Sequence, residues 1–298
     1  MYNVLVLMST YNGEKYIVEQ VESVLRQKDV SIKLLIRDDG SKDNTVNIIK
    51  KMQDKYKNID IIEGTSNLKS AFSFFELIKC CNTNYDYYAF CDQDDVWLEH
   101  KLIKGINKIK DIDKEAIYCC NYQLVDEKLN KIDLDNHFVT TNLKEAIIAS
   151  NATGCTMMMN NYMLKILKGK IPDFVVMHDD WCHKVCLAIG GIVVFDYDKN
   201  ILYRQHSNNA VGGIKKENFL KKIFSITKKD QGFTKEFIEI FKMYENKISI
   251  DNYHMLSNLI ISKQSLIERI KFLFKYNPKT KSVKLNLKFF LMYIFGKY

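Results

Sequence analysis

The chain has 298 residues, 47% of them hydrophobic and 27% charged, enough to bury one large core with a small appendage and too apolar to stay disordered. Its formal net charge of +8 is uneven: residues 215–298 hold 18 Lys and Arg against 7 Asp and Glu, which leaves residues 1–214 at about −3. Two prolines and no Ser/Gly-rich stretch exclude a string of tethered modules, the first residues lack a signal-peptide pattern, and no window reaches the ~18 apolar residues of a membrane span.

Residues 4–8 predict a strand and 14–27 a helix, with Ile17, Val21, Val24 and Leu25 on one face. The alternation continues with a strand at 33–37, a helix at 43–56, a strand at 59–63 and a helix at 70–80. A strand at 87–91 and a helix at 98–110 follow. Strands separated by helices imply β-α-β crossovers and a mostly parallel sheet, in which ligands sit beyond the carboxyl ends of the strands. From 117 to 206 the pattern is mixed. Strands are expected at 117–120, 155–159, 191–195 and 201–204, and helices at 142–149 and 178–189. From 218 onward the chain reads as helices with basic faces. The eight cysteines form no C-x-x-C pair and several sit in apolar runs, as buried reduced thiols of a cytoplasmic protein would. Cys182, His183 and Cys186 lack the second ligand pair of a structural zinc site.

Five short stretches carry candidate chemistry. Ser9-Thr10-Tyr11-Asn12-Gly13 follows the first strand and suits either a flat base with its ribose or an ordinary turn. Arg37-Asp38-Asp39-Gly40-Ser41 closes the second strand. Ser41, Asp43 and Asn44 are good helix caps, but capping leaves the paired Asp38 and Asp39 unexplained, and one of them could accept from the imide N–H of uracil or thymine. Asp92-Gln93-Asp94-Asp95 puts three carboxylates within four residues at the end of an apolar strand. Such crowding suits a cation, for which oxygen ligands point to Mg²⁺ or Mn²⁺, better than the alternative of a solvated acidic loop that caps the next helix. His178-Asp179-Asp180-Trp181 opens a helix, where a carboxylate serves as a cap or as a general base. Tyr203-Arg204-Gln205-His206 offers a cation for a diphosphate and an imidazole for a metal.

Taken in order, these stretches resemble the inverting glycosyltransferases of family two, which have the GT-A fold, and most closely their rhamnosyltransferase-like branch. The resemblance covers residues 1–214 and implies an α/β GT-A domain there, with residues 215–298 as a basic helical extension. It implies a metal-dependent enzyme, using Mn²⁺ or Mg²⁺, that moves a sugar from a dTDP- or UDP-linked donor. The acceptor would be a saccharide or lipid-linked saccharide in cell-surface polysaccharide assembly. By that resemblance Thr10, Tyr11 and Asp39 hold the base, and Asp38 supports the turn or the ribose. Asp92 and Asp94 meet the ribose and the metal-bound diphosphate, with Asp95 an alternative ligand. Asp179, or Asp180 beside it, is the base. Arg204 and His206 lie near phosphates and metal, and Gly154 and Cys155 wall the sugar and acceptor pocket. Two positions depart from the pattern: Lys69 stands where the family often has Gly, and HDDW has a second Asp where Trp is usual.

The last thirty residues interleave eight Lys and Arg with aromatic and aliphatic side chains, among them Phe272, Phe274, Phe289 and Phe290. This suits either peripheral contact with an anionic membrane surface or packing on the catalytic domain or a second subunit. No nucleic-acid-binding module accompanies the charge. A fold retained only for binding a sugar nucleotide or a protein is the competing reading, and the intact acidic stretches speak against it.

Overall fold

The computed structural model describes residues 1–133, 137–206 and 233–298. The expected alternation is present. It runs β1 (Tyr2–Thr10), α1 (Ile17–Leu25), β2 (Val30–Asp38), α2 (Thr45–Lys55), β3 (Ile59–Glu63), α3 (Lys69–Cys80), β4 (Tyr87–Cys91), β5 (Val96–Trp97) and α4 (Lys101–Ile109). There follow β6 (Ala116–Val125), α5 (Leu143–Ala146), a 3₁₀ turn (Gly154–Thr156), β7 (Met157–Asn160), α6 (Asn161–Leu167), α7 (His178–Ala188) and β8 (Ile192–Arg204). Four more helices close the described chain: α8 (Phe233–Tyr244), α9 (Ile250–Ser262), α10 (Leu266–Tyr276) and α11 (Val283–Ile294). The expected boundary at 214/215 lies outside the described residues.

One sheet takes the order β3-β2-β1-β4-β7-β6-β8-β5. The first four strands are mutually parallel, as the crossovers require, and β7 runs antiparallel to both its neighbours. Side chains alternate across this sheet. Val4, Val6 and Met8 enter one core with α1, α2 and α4; Leu5 and Leu7 enter the other with α3 and α7. That second core also holds Phe237, Leu256, Phe272 and Phe289, so the C-terminal helices share it with the sheet.

Three expectations change. Residues 191–195 and 201–204 belong to one strand, β8. The polar stretch that divided them is paired at its flanks, since Tyr118 Oη donates to Asp196 Oδ2 at 2.9 Å and Lys104 reaches Asp198 at 2.9 Å. The helix expected at 142–149 contracts to α5. A helix appears at α6, where Asn160 supplies the N-cap by accepting from Met163 N–H at 3.1 Å.

Candidate active site

The register sets Thr10 opposite Asp38 and Met8 opposite Cys91, so the carboxyl ends of β2, β1 and β4 converge where the strand order reverses. The loops beyond them are tied together. Asn12 N–H donates to Ser41 Oγ at 2.8 Å, Lys42 N–H to Asn12 Oδ1 at 2.9 Å, and Gly13 N–H to Thr45 Oγ1 at 2.8 Å. Gln93 reaches back from the acidic turn. Its Oε1 accepts from Thr10 Oγ1 at 2.6 Å and Tyr11 N–H at 2.9 Å, and its Nε2 donates to Tyr11 O at 3.1 Å. A Cβ on Gly13 would stand 2.2 Å from Gln93 Oε1, so only glycine admits that link.

These loops open on a cleft of about 680 Å³, a volume typical of small-molecule sites. Tyr11, Asp39, Asn67, Lys69 and Asp92 line it, with Asp94 from the turn after β4 and Asp179 from α7. Residues 148–154, Tyr122 and Tyr203 line it as well. So do Leu285, Lys288, Phe289 and Met292 of α11, and Tyr298. The basic extension therefore contributes a wall of the same cleft.

The acidic run divides by depth. Asp92 and Asp94 are partly exposed and line the cleft, whereas Asp95 is fully buried beneath them. Asp94 Oδ2 meets His206 Nε2 at 2.8 Å, and His206 stacks on Tyr16. Burial first, then the charges of Asp94 and Asp179, push the Asp92 carboxyl well above its ordinary value. Asp95 Oδ1 accepts from Arg204 N–H at 3.0 Å, and the Cys155 thiol lies against its carboxylate as a further hydrogen-bond partner. Asp92, Asp95 and Cys155 bring one ligand atom each within 4.8 Å of one another. Burial keeps the Cys155 thiol protonated, so the oxygens, with His206 close by, are the available donors. Crowded carboxylates beside an imidazole fit a hard divalent cation.

Asp179 and Asp180 stand side by side in different surroundings. Burial pushes Asp179 up to about 6, although Gly154 N–H donates to its Oδ2 at 2.7 Å and Asp180 N–H to its Oδ1 at 2.8 Å. Asp180 is pulled the other way. Burial would raise it, but the ammonium of Lys184, 2.7 Å away, lowers it below the ordinary range. Lys184 is fully buried and also bonds Glu236 of α8 at 2.6 Å. Gly154 is needed at its place, because a Cβ there would stand 2.8 Å from His178 Nε2.

The remaining expected residues fall on or behind the wall. Asp39 lines the cleft, and its Oδ1 is bonded by the Arg37 guanidinium and by Leu68 N–H at 3.0 Å. Thr10 and Asp38 are buried behind the wall. Asp38 Oδ2 accepts from Gly40 and Ser41 N–H at 2.9 and 2.7 Å and so shapes the turn. Arg204 is not turned to the cleft as a diphosphate clamp would be. It is almost wholly buried, lies over the Tyr16 ring, and donates to Asp94 O, Glu127 O and Glu19 Oε2. It braces the acidic turn from behind. The neighbouring Ser207, Asn208 and Asn209 lie outside the described residues. Lys69, the departure from pattern, has φ +65°, which accounts for Gly being the easier residue there.

Sequence reasoning missed Gln93, Tyr122 and Tyr203, whose residue types carried no signal, and the contribution of α11. All eight cysteines are free and seven are buried. No helix among the described residues is long and apolar enough to cross a membrane.

Comparison with known proteins gives a consistent picture. The model of glycosyl transferase family 2 matches residues 5–185. The dTDP-rhamnosyl transferase RfbG of Shigella flexneri is 31% identical over 227 residues, 69% of this chain and 73% of that protein. An uncharacterised glycosyltransferase of Rickettsia typhi is 25% identical over 82% of this chain and 80% of its own. Among solved structures, residues 1–349 of S. aureus TarS in complex with UDP-GlcNAc superpose with a TM-score of 0.61 at 14% identity, covering 98% of this chain and 81% of that one. The mannosyltransferase PcManGT of Pyrobaculum calidifontis, in complex with GDP-Man and Mn²⁺, does so with a TM-score of 0.52 at 12% identity, covering 99% and 85%. At those identities the structures speak for the fold alone, which is GT-A.

Proposed function

The chain belongs to glycosyl transferase family 2, and from that premise we propose that it transfers a sugar from a dTDP- or UDP-linked donor to a saccharide or lipid-linked saccharide, with inversion at the anomeric carbon. L-Rhamnose is the first candidate sugar, because the relative at 31% identity is a dTDP-rhamnosyl transferase. Assembly of a cell-surface polysaccharide on the cytoplasmic side of the membrane is the setting that suits such a donor and acceptor.

The observation that carries this reading is a raised Asp179 lining the same cleft as Asp92 and Asp94 of the turn after β4. A hydroxyl seated against Asp179 would give its proton to that carboxylate as its oxygen attacks the anomeric carbon. The nucleoside diphosphate would leave from the opposite face, so the configuration inverts. Tyr11 and Asp39 would hold the base, with Thr10 and Asp38 fixing their loops from behind. Asp92, Asp94 and His206 would hold Mn²⁺ or Mg²⁺, which when bound supplies positive charge against the leaving diphosphate. Asp95 and Arg204 would set the pose of that turn. Asp180 would act through Lys184 to fix the start of α7.

A panel of dTDP- and UDP-sugars with and without Mn²⁺, scored for nucleoside-diphosphate release, tests this. Release from at least one donor, dependent on the ion, is expected. No release from any donor, even with lipid-linked acceptors present, would mean that the fold binds without catalysing.

A further inference from the structure

The last two helices are two-sided. α10 and α11 pack on each other through Phe272 and Tyr293, whose rings are 5.5 Å apart, and α11 turns Leu285, Phe289 and Met292 to the cleft. Their other faces are apolar and uncovered. On α11, Val283, Leu287 and Phe290 recur at helical spacing and are exposed, Val283 to 81%. On α10, Ile267, Ile270 and Phe274 do the same, with Phe274 86% exposed. Single exposed apolar side chains are ordinary; a stripe on each of two adjacent helices is an interaction surface.

Charge decides what covers it. Residues 265–298 hold eight Lys and Arg against one acidic residue, Glu268. Lys271 and Lys275 are exposed on α10 itself, and Lys279 and Lys281 on the loop that joins it to α11. A second copy laid face to face would set these like charges against each other, whereas an anionic surface would neutralise them.

We propose that the outer face of α10 and α11 docks on an anionic lipid bilayer, with the apolar stripes at the acyl boundary and the lysines among the headgroups. The docking stands apart from the transferase reading; its consequence for the acceptor rests on that reading. Because α11 belongs both to the docking face and to the cleft wall, the cleft lies about one helix diameter, ~10 Å, from the lipid. A sugar carried on a lipid anchor would be presented there, opposite Asp179.

Flotation of the full chain with vesicles tests the docking without donor or transfer, so its failure is distinct from failure of the reaction. The protein is expected to float with phosphatidylglycerol in phosphatidylcholine, not with phosphatidylcholine alone, and to be released by high salt. The double variant Phe274→Asp, Leu287→Asp should lose partitioning about tenfold or more while keeping its circular dichroism spectrum and donor hydrolysis. Lys275→Glu with Lys281→Glu, both exposed positions, should do likewise with the circular dichroism spectrum unchanged. Absence of flotation, or equal flotation of both variants, would overturn the proposal. So would a dimer in sedimentation that Phe274→Asp dissolves, which would make the face a subunit interface.

Discussion

At the first turn of α7, neighbouring carboxyls are driven apart by what they touch. Burial raises Asp179 to about 6, close enough to neutrality for an ionised base that still wants a proton. Its titration should appear in the rate. kcat/KM should be level above pH 7 and fall about tenfold per unit below about pH 6, as the base becomes protonated. A profile flat from pH 5 to 8 would remove Asp179 from proton transfer. Asp180, held ionised by Lys184, should behave differently: Asp180→Asn should cost stability first and reduce transfer far less than Asp179→Asn. Lys69 is a separate case, a long side chain in the left-handed region. Lys69→Gly should stabilise the fold by roughly 1 kcal/mol in urea unfolding, and a loss of stability would show that the lysine's contacts outweigh its backbone strain.

Among the elements, α7 and α8 are joined by charge within the core. Lys184 has no exposed surface and binds a carboxylate from each helix. Lys184→Met would leave Asp180 and Glu236 buried together, and the urea midpoint should fall by the equivalent of about 3–5 kcal/mol. A loss under ~1 kcal/mol would mean that the pair relaxes to solvent. This junction was illegible in the sequence, because Lys184 and Glu236 are 52 residues apart and each reads as an ordinary helix-surface residue. The first half of the chain was legible because local rules govern it. Apolar β4 and the turn after β1 carry their own signals, and the ranges 59–63 and 87–91 agree residue for residue with β3 and β4. Periodicity broke down where pairing is non-local. β8 looked like two strands because its polar middle has partners on β6 and α4, and β5 is two residues long. Arg204 looked like a phosphate ligand because its sequence neighbours do not reveal Glu19 and Glu127.

For the molecule as a whole, the sheet brings the loops after β1 and β2, an acidic turn and the candidate general base Asp179 to one cleft, and α11 lines it too. The acidic run was visible in the sequence as a crowd of carboxylates. The fold separates it into Asp92 and Asp94 at the cleft and Asp95 beneath. The proposed reaction turns on Asp179 as the base of a displacement whose donor is held elsewhere in the cleft. The most direct measurement is a comparison of the wild-type chain with Asp179→Asn, reading donor affinity by calorimetry and transfer by product formation with the same donor. Affinity is expected to stay within about threefold and transfer to fall by ~10²–10⁴. Transfer retained within tenfold, or donor binding lost in parallel with transfer, would contradict that role for Asp179.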